Sequence, residues 1–329
     1  MARRILFVVA EVGSAEYLIP LWRRWLQRSP NASWRVVATR LVAERMTGMG
    51  LNGMLLPENA PDRADALALQ LGAWRPDVVC ASATHAPVEA AAIALARERD
   101  IPVVRFIDTW YGYRDRLGSD GRLDVPERVL VIDGEAVRQA VSEGLLRAVL
   151  EPVGQPAWED VVALPPADRR HVMFVSQPVE RLFGARLGYT EFSAWQLLYE
   201  TAVRRPDLIS RLVFAPHPED VMPPPAEDAI VRVAPRGRKD LGGVGTVVGM
   251  FSSLMIDALL AGRHVISLQA GAVGPDMNRI GTQRILRATT AEELTEALLA
   301  PSIPPDCLRD ALKGSCERLE RTLLAIGHD

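Results

Sequence analysis

The chain has 329 residues, 48% hydrophobic and 24% charged, with a formal net charge of −3. That length suits two domains better than one core, and the composition is that of a soluble globular protein. The small negative charge, with no run of basic residues, argues against a nucleic-acid or anionic-membrane surface as the main partner.

The segment Ile5–Ala10 is too short for a signal peptide's apolar region and reads as a first strand behind a basic start. A helical pattern follows over Ala15–Gln27, with Leu18, Leu21 and Leu26 on its apolar side. Next come a strand at Trp34–Leu41, a short helix at Ala43–Gly48, a strand at Met54–Leu56 and a helix at Arg63–Leu71. Asp77–Ala83, Val103–Ile107 and Arg128–Ile132 read as strands, separated and followed by helices at Val88–Arg99 and Glu135–Glu143. Strand and helix alternating at this spacing is the pattern of a doubly wound parallel sheet.

The second half repeats that grammar. Strands are expected at His171–Ser176, Leu212–Ala215, Ile230–Val233, Thr246–Gly249 and His264–Leu268. Helices are expected at Thr190–Arg204, Ser253–Ala261, Ala291–Leu299 and Cys307–Leu324. The proline-bearing stretch Ala163–Asp168 is the best linker. The expected domains are therefore 1–165 and 166–329, with the last helix returning to the first domain. The cysteines Cys80, Cys307 and Cys316 lack metal-ligand spacing and cannot all pair, so a reducing cytoplasm is the expected setting. No apolar run approaches 18 residues, so any membrane contact is expected to be peripheral.

Ligands of open α/β sheets bind beyond the carboxyl ends of the strands, which directs attention to the residues just after each strand. His217-Pro218 follows an apolar strand. The ring can donate to a phosphate oxygen, with the proline fixing the chain, or it is a loop histidine before the proline-rich turn at 222–226. Gly249-Met-Phe-Ser252-Ser253 joins a strand to an apolar helix that ends at Gly262. Ser252 or Ser253 can cap that helix, and the N–H groups of its first turn can receive a phosphate. Asp257, one turn in, can accept from ribose hydroxyls or simply face solvent.

These motifs resemble the C-terminal half of GT-B fold glycosyltransferases. The bacterial sialyltransferase, polysialyltransferase and Kdo-transferase groups, with an HP motif and a Ser/Thr motif on a CMP-sugar, are nearest. The same region is similar to the non-hydrolysing UDP-N-acetylglucosamine 2-epimerases, which share the fold. The resemblance implies two Rossmann-like domains facing across a cleft. It implies that His217, Pro218, Ser252 and Ser253 hold the donor phosphate beside Gly249, and that Asp257 stands where many relatives keep a ribose-binding Glu. The loop at Ser176-Gln177-Pro178 commonly reaches the nucleotide in such enzymes, where Arg181 or Arg186 can pair with phosphate or with surface acids. Gly154-Gln155-Pro156, ahead of Asp160, resembles the stretch that closes the N-terminal half, and a plain Gly-Pro turn also accounts for it. The acidic-acidic-glycine motif of the sialyltransferase groups has only Ile132-Asp133-Gly134 as a near match, a position that can also be a helix cap.

Three strand ends carry weight in the N-terminal half. Glu11, Gly13 and Ser14 follow the first strand, and His85 follows the Asp77–Ala83 strand. Asp108, Trp110, Tyr111 and Tyr113 follow the Val103 strand. A carboxylate beside aromatics suits sugar stacking and the removal of a proton from an acceptor hydroxyl. Asp108 is the first choice of base, unless it caps a turn over packed aromatics. With no Asp-x-Asp pair and no His/Cys cluster, nothing in the sequence calls for a metal or another cofactor. The expected function is a metal-independent, inverting glycosyltransferase. It would move a sugar from a CMP- or UDP-sugar to a glycan, lipid-linked or protein hydroxyl in surface polysaccharide or glycoconjugate synthesis. The alternatives are a nucleotide-sugar 2-epimerase or hydrolase, or a non-catalytic nucleotide-sugar-binding protein.

Overall fold

The computed structural model describes residues 2–327 apart from 29–31, 49, 57–62, 120–121, 218–219, 221–222, 235–236, 275, 279 and 281–283. The chain divides into two compact units, Met1–Asp160 with Ala311–Asp329, and Val161–Asp310.

Unit 1 runs β1 (Arg3–Val9), α1 (Val12–Gln27), β2 (Ala32–Ala38), α2 (Arg40–Thr47), β3 (Met54–Leu55), α3 (Arg63–Leu71), β4 (Val78–Ser82) and α4 (Pro87–Glu98). It continues through β5 (Val103–Phe106), α5 (Tyr113–Leu117), a small hairpin of β6 (Gly118–Ser119) and β7 (Arg122–Leu123), β8 (Arg128–Val131), α6 (Gly134–Ser142), β9 (Leu150–Pro152) and α7 (Pro156–Glu159). The main sheet has the order β3-β2-β1-β4-β5-β8-β9, and every pair in it is parallel. Buried on both faces, its central strands read as unbroken apolar runs. Successive side chains of β1 take opposite sides: Phe7 packs with Trp22, Trp25 and Trp34, whereas Leu6 and Val8 pack with Leu67 and Leu95.

Unit 2 contains β10 (His171–Val175), α8 (Val179–Phe183), α9 (Glu191–Arg204), β11 (Arg211–Ala215), β12 (Val231–Val233), β13 (Thr246–Gly249), α10 (Ser253–Leu260), β14 (His264–Leu268), β15 (Leu286–Ala288) and α11 (Ala291–Leu299). Its parallel sheet has the order β12-β11-β10-β13-β14-β15. Phe174, Phe214 and Trp195 centre its core, with Trp195 edge-on to Phe214 at 5.0 Å. The connector after Asp160 packs within unit 2, since Leu164 donates to the Ala261 carbonyl and Arg263 donates to that of Pro165.

The expected doubly wound α/β fold is therefore present in both units, but β2 ends three residues before the expected Leu41, which lies in α2, and the edge strands β9 and β15 are additional to those expected. Other expectations are corrected. Leu26 is 60% exposed, while Leu18 and Leu21 are fully buried. The single helix expected over Cys307–Leu324 is two helices, α12 (Asp306–Leu312) and α13 (Ser315–Ala325). The break falls at Gly314, whose φ of 75° is left-handed and ends the first helix. The Glu159 carboxylate then accepts the N–H groups of Gly314 (2.7 Å) and Cys316 (2.8 Å), capping α13 from α7. Gly154, at φ 92°, lets the chain pass this helix: a Cβ there would lie 1.9 Å from Ser315 Oγ. The Gly154–Glu159 stretch thus anchors the last helix of unit 1.

Candidate functional site

In each sheet the strand order reverses once, between β1 and β4 in unit 1 and between β10 and β13 in unit 2. Loops leaving such a pair of strands diverge to opposite faces and open a crevice at their carboxyl ends.

In unit 2 this edge gathers most of the C-terminal candidates. Register pairs Val175 with Ala215 on one side and with Gly249 on the other, so Ser176, His217 and the 250–253 turn follow three adjacent strands. Ser176 is fully buried, and its N–H donates to the Ala215 carbonyl at 3.0 Å. His217 is half-buried, and its own N–H is taken by the Asp220 carboxylate at 2.7 Å. Pro218 lies outside the described residues. Gly249 is a packing glycine, because a Cβ there would meet Met255 Sδ at 3.0 Å and the Val175 carbonyl at 3.2 Å.

Ser252 is the N-cap of α10, and its hydroxyl accepts the Leu254 N–H at 3.3 Å. Its carbonyl accepts the Met255 N–H at 3.0 Å, leaving Ser253 as the exposed first helical residue. The Ser253 N–H has no protein acceptor among the described residues, so the positive end of α10 can take an anion there. Asp257 is only 8% exposed, which corrects its reading as a solvent-facing residue.

Two glutamines to which the sequence motifs gave no role of their own organise this edge. Gln177 Oε1 accepts the Phe251 N–H at 2.8 Å, tying the loop after β10 to the turn before α10. Gln269, fully buried just after β14, donates from Nε2 to Ser267 Oγ at 2.9 Å and to Asp276, while Ser267 donates to the Met250 carbonyl. The signal available in the sequence was position alone: both glutamines directly follow an apolar strand or stand one residue beyond it. Arg186 donates to the carbonyls of Phe183 (3.1 Å) and Leu182 (3.3 Å) and lies over the Phe183 ring. That is a local structural engagement.

In unit 1 the structure brings Asp108 beside the first turn of α1. A Cβ built on Gly13 would lie 3.8 Å from Asp108 Oδ2, so the carboxylate faces the helix end that favours negative charge. Burial raises the Asp108 pKa, and the nearby Arg116 guanidinium partly opposes that rise. Glu11 is the exposed N-cap residue of α1 and Ser14 is buried in its first turn. His85 is exposed at a left-handed φ of 60°, and its Nε2 meets the Asp115 carbonyl of α5. Trp110 is 5% exposed, stacks on Trp158 at 5.7 Å and donates from Nε1 to Asp133 at 3.0 Å. One ring face and the indole N–H are thus committed inside unit 1, so Trp110 holds its loop rather than offering an open platform for a sugar. Asp133 also accepts the Ala136 N–H at 2.9 Å and is the N-cap of α6.

Beneath these loops lies a buried ion pair that no motif announced. Glu89 of α4 and Arg105 of β5 meet at 3.1 Å, and Arg105 Nε donates to the Ser82 carbonyl at 2.8 Å. The same carboxylate accepts the Ser82 hydroxyl, the Thr84 N–H (2.9 Å) and the Thr84 hydroxyl (2.8 Å). The cluster pins the loop carrying Thr84 and His85 at the carboxyl end of β4. Among the described residues no group of three or more His, Cys, Asp or Glu side chains is placed to hold a metal ion. No helix of the described residues is long and apolar enough to cross a membrane.

No protein-family model and no curated protein matches this sequence. Solved structures do match in fold. The UDP-GlcNAc 2-epimerase from Methanocaldococcus jannaschii superposes with a TM-score of 0.65 at 11% identity, covering 98% of this chain and 99% of that one. The UDP-GlcNAc 2-epimerase from Neisseria meningitidis, solved bound to UDP-GlcNAc, gives 0.64 at 10% identity over 98% and 99%. The glycosyltransferase SnogD from Streptomyces nogalater gives 0.57 at 15% identity over 99% and 100%. With two parallel α/β units and these likenesses along nearly its whole length, the chain has the GT-B fold shared by nucleotide-sugar epimerases and glycosyltransferases.

Proposed function

We propose that this chain is a nucleotide-sugar enzyme, and that its reaction is transfer of the sugar to an acceptor hydroxyl. The observation that carries the reading is the carboxyl edge of unit 2, where Ser176, His217 and the capped N-terminus of α10 follow three adjacent strands. A nucleotide phosphate there meets the α10 dipole and the Ser253 N–H, and His217 stabilises the phosphate as it departs. In unit 1 Asp108 takes the acceptor proton. Burial raises its pKa, which makes it a better base than an ordinary carboxylate at neutral pH.

A second reading, 2-epimerisation, is favoured by the higher TM-scores of the epimerases (0.65 and 0.64) than of SnogD (0.57). Acidic residues of unit 1, with Asp108 and Glu11 the first to test, would then exchange a proton on the sugar ring.

The test is incubation of the pure protein with CMP- and UDP-sugars, with and without hydroxyl acceptors. Nucleotide release that depends on acceptor is the expected result. Sugar conversion without acceptor would establish the epimerase instead, and binding without turnover would leave a binding protein. Replacing His217 by Ala should abolish donor binding or turnover, and unchanged kinetics would remove it from the site.

A further inference from the structure

We infer that Ser82 is a positioning residue for Asp108, its hydroxyl fixing the start of α1 against which that carboxylate lies. The inference rests on the reading of Asp108 as the base and adds a residue that the strand-end candidates of unit 1 do not include. β1, β4 and β5 are neighbours in the sheet, and the loops leaving their carboxyl ends carry Glu11 with Gly13, His85, and Asp108 in turn. The ladder between β1 and β4 ends at Val8 and Ala81. Beyond it Ser82 Oγ accepts the Ala10 N–H at 3.3 Å, and the Ala10 carbonyl accepts the Thr39 hydroxyl at 2.8 Å. Ala10 is thereby held on both sides, directly before the Glu11 N-cap of α1.

What lies behind Ser82 gives its hydroxyl a direction. The side chain is fully buried, and a hydroxyl has one hydrogen to give. The Glu89 carboxylate takes it, because a charged acceptor outcompetes the neutral Val8 carbonyl 3.4 Å away. With the hydrogen turned to Glu89, the lone pairs of the oxygen are left for the Ala10 N–H. Glu89 is held in turn by Arg105 of β5 at 3.1 Å, and Arg105 Nε donates to the Ser82 carbonyl at 2.8 Å. A chain of bonded groups thus runs from β5 through α4 and β4 to the end of β1. Asp108, two residues beyond β5, lies beside the first turn of α1, where a Cβ on Gly13 would be 3.8 Å from its Oδ2. The partial positive charge of that turn favours the carboxylate, so a displaced α1 changes how strongly Asp108 holds its proton. The other groups acting on Asp108 are the Arg116 guanidinium of α5, Tyr17 of α1 and Tyr111 of its own loop, and none of them bonds to the Ser82 or Glu89 side chain. The Ser82 hydroxyl therefore reaches Asp108 through the start of α1.

The experiment titrates the Asp108 carboxyl by carbon NMR in aspartate-labelled full-length protein, with D108N identifying its signal and Tm measured alongside. S82A and S82C remove the hydroxyl, S82C filling its space should S82A fail to fold, and S82T keeps it. The expected result is a midpoint that rises by about 0.5 pH unit in S82A and S82C, as the helix end moves off the carboxylate, and stays at the wild-type value in S82T. With a nucleotide sugar that the wild type turns over, kcat should fall by ~5-fold or more in S82A at an unchanged Kd for UDP or CMP. A merely structural role predicts a lower Tm with the midpoint and kcat unmoved; that result, or a lowered midpoint, overturns the inference. A midpoint that rises in S82T as far as in S82A traces the effect to packing and overturns it too. A wild type without turnover overturns the nucleotide-sugar reading and with it the catalytic meaning of Ser82, whereas the NMR midpoint tests the placement of α1 against Asp108 independently, so the two failures are distinguishable.

Discussion

The Glu89–Arg105 pair offers the sharpest test of how unit 1 holds its loops. The two side chains are 1% and 6% exposed, and Glu89 also accepts from Ser82 and twice from Thr84. Glu89→Gln removes the charge and turns one acceptor oxygen into a donor facing other donors. Arg105 is then a buried cation without its carboxylate partner, held only by neutral oxygens such as the Ser82 carbonyl, and losing one partner of a buried pair costs about 3–5 kcal/mol. Arg105→Met removes the cation but leaves the carboxylate with three neutral donors, and should cost about 2–3 kcal/mol. In the double variant Gln faces no stranded charge, so the coupling in the mutant cycle should be about 2 kcal/mol or more, with the double variant far better than additive. Urea unfolding read by tryptophan fluorescence suits the measurement: Trp195 is the one tryptophan in unit 2, so the others report unit 1. A cost below about 1 kcal/mol for Glu89→Gln, or strictly additive changes, would refute the claim that this buried pair is mutually dependent.

Gly154→Ala should lower stability by about 3 kcal/mol or more, because its Cβ would overlap Ser315 Oγ at 1.9 Å on a left-handed backbone. A Tm at most a degree below wild type would contradict it, and adding Ser315→Gly should restore part of the loss. His264 predicts a pH dependence in unit 2. Burial pulls its pKa down to about 4, against about 6.5 in the unfolded chain. The unfolded state therefore binds the extra proton first. The His264 contribution is complete above about pH 6.5 and is lost as pH falls toward about 4. His264→Gln should flatten that slope in a Tm series, its amide replacing the donor that now meets the Ala297 carbonyl. Ser252→Ala should cost about 1 kcal/mol through the lost cap on Leu254 and weaken nucleotide binding besides, both readable in one thermal-shift titration. Asp108→Asn should leave nucleotide binding intact and remove turnover. The acid limb of the wild-type rate profile should lie above the ordinary carboxylate range, since the base works deprotonated and its pKa is raised. A limb at an ordinary carboxylate pKa would dissociate Asp108 from the proton transfer.

The sequence by itself determined the alternation of elements and hence the fold class. Short apolar runs such as Val78–Ser82 and His264–Leu268, alternating with longer helical patterns, read as strands covered on both faces, and Thr190, Thr290 and Ser252 mark helix starts through chemistry local to a few residues. It also directed attention to the carboxyl ends of the strands, where Ser176, His217 and the Ser252 turn come together. Tertiary structure alone decided what each side chain does there. Trp110 and Asp108 are two residues apart in the same loop, yet the first is committed to Trp158 and Asp133 while the second faces the first turn of α1. Glu89 with Arg105, and Gln177 with Phe251, are partnerships across 16 and 74 residues of chain. Such pairs leave no periodicity or spacing to read, because burial and hydrogen-bond completion act between elements that only the folded sheet makes neighbours.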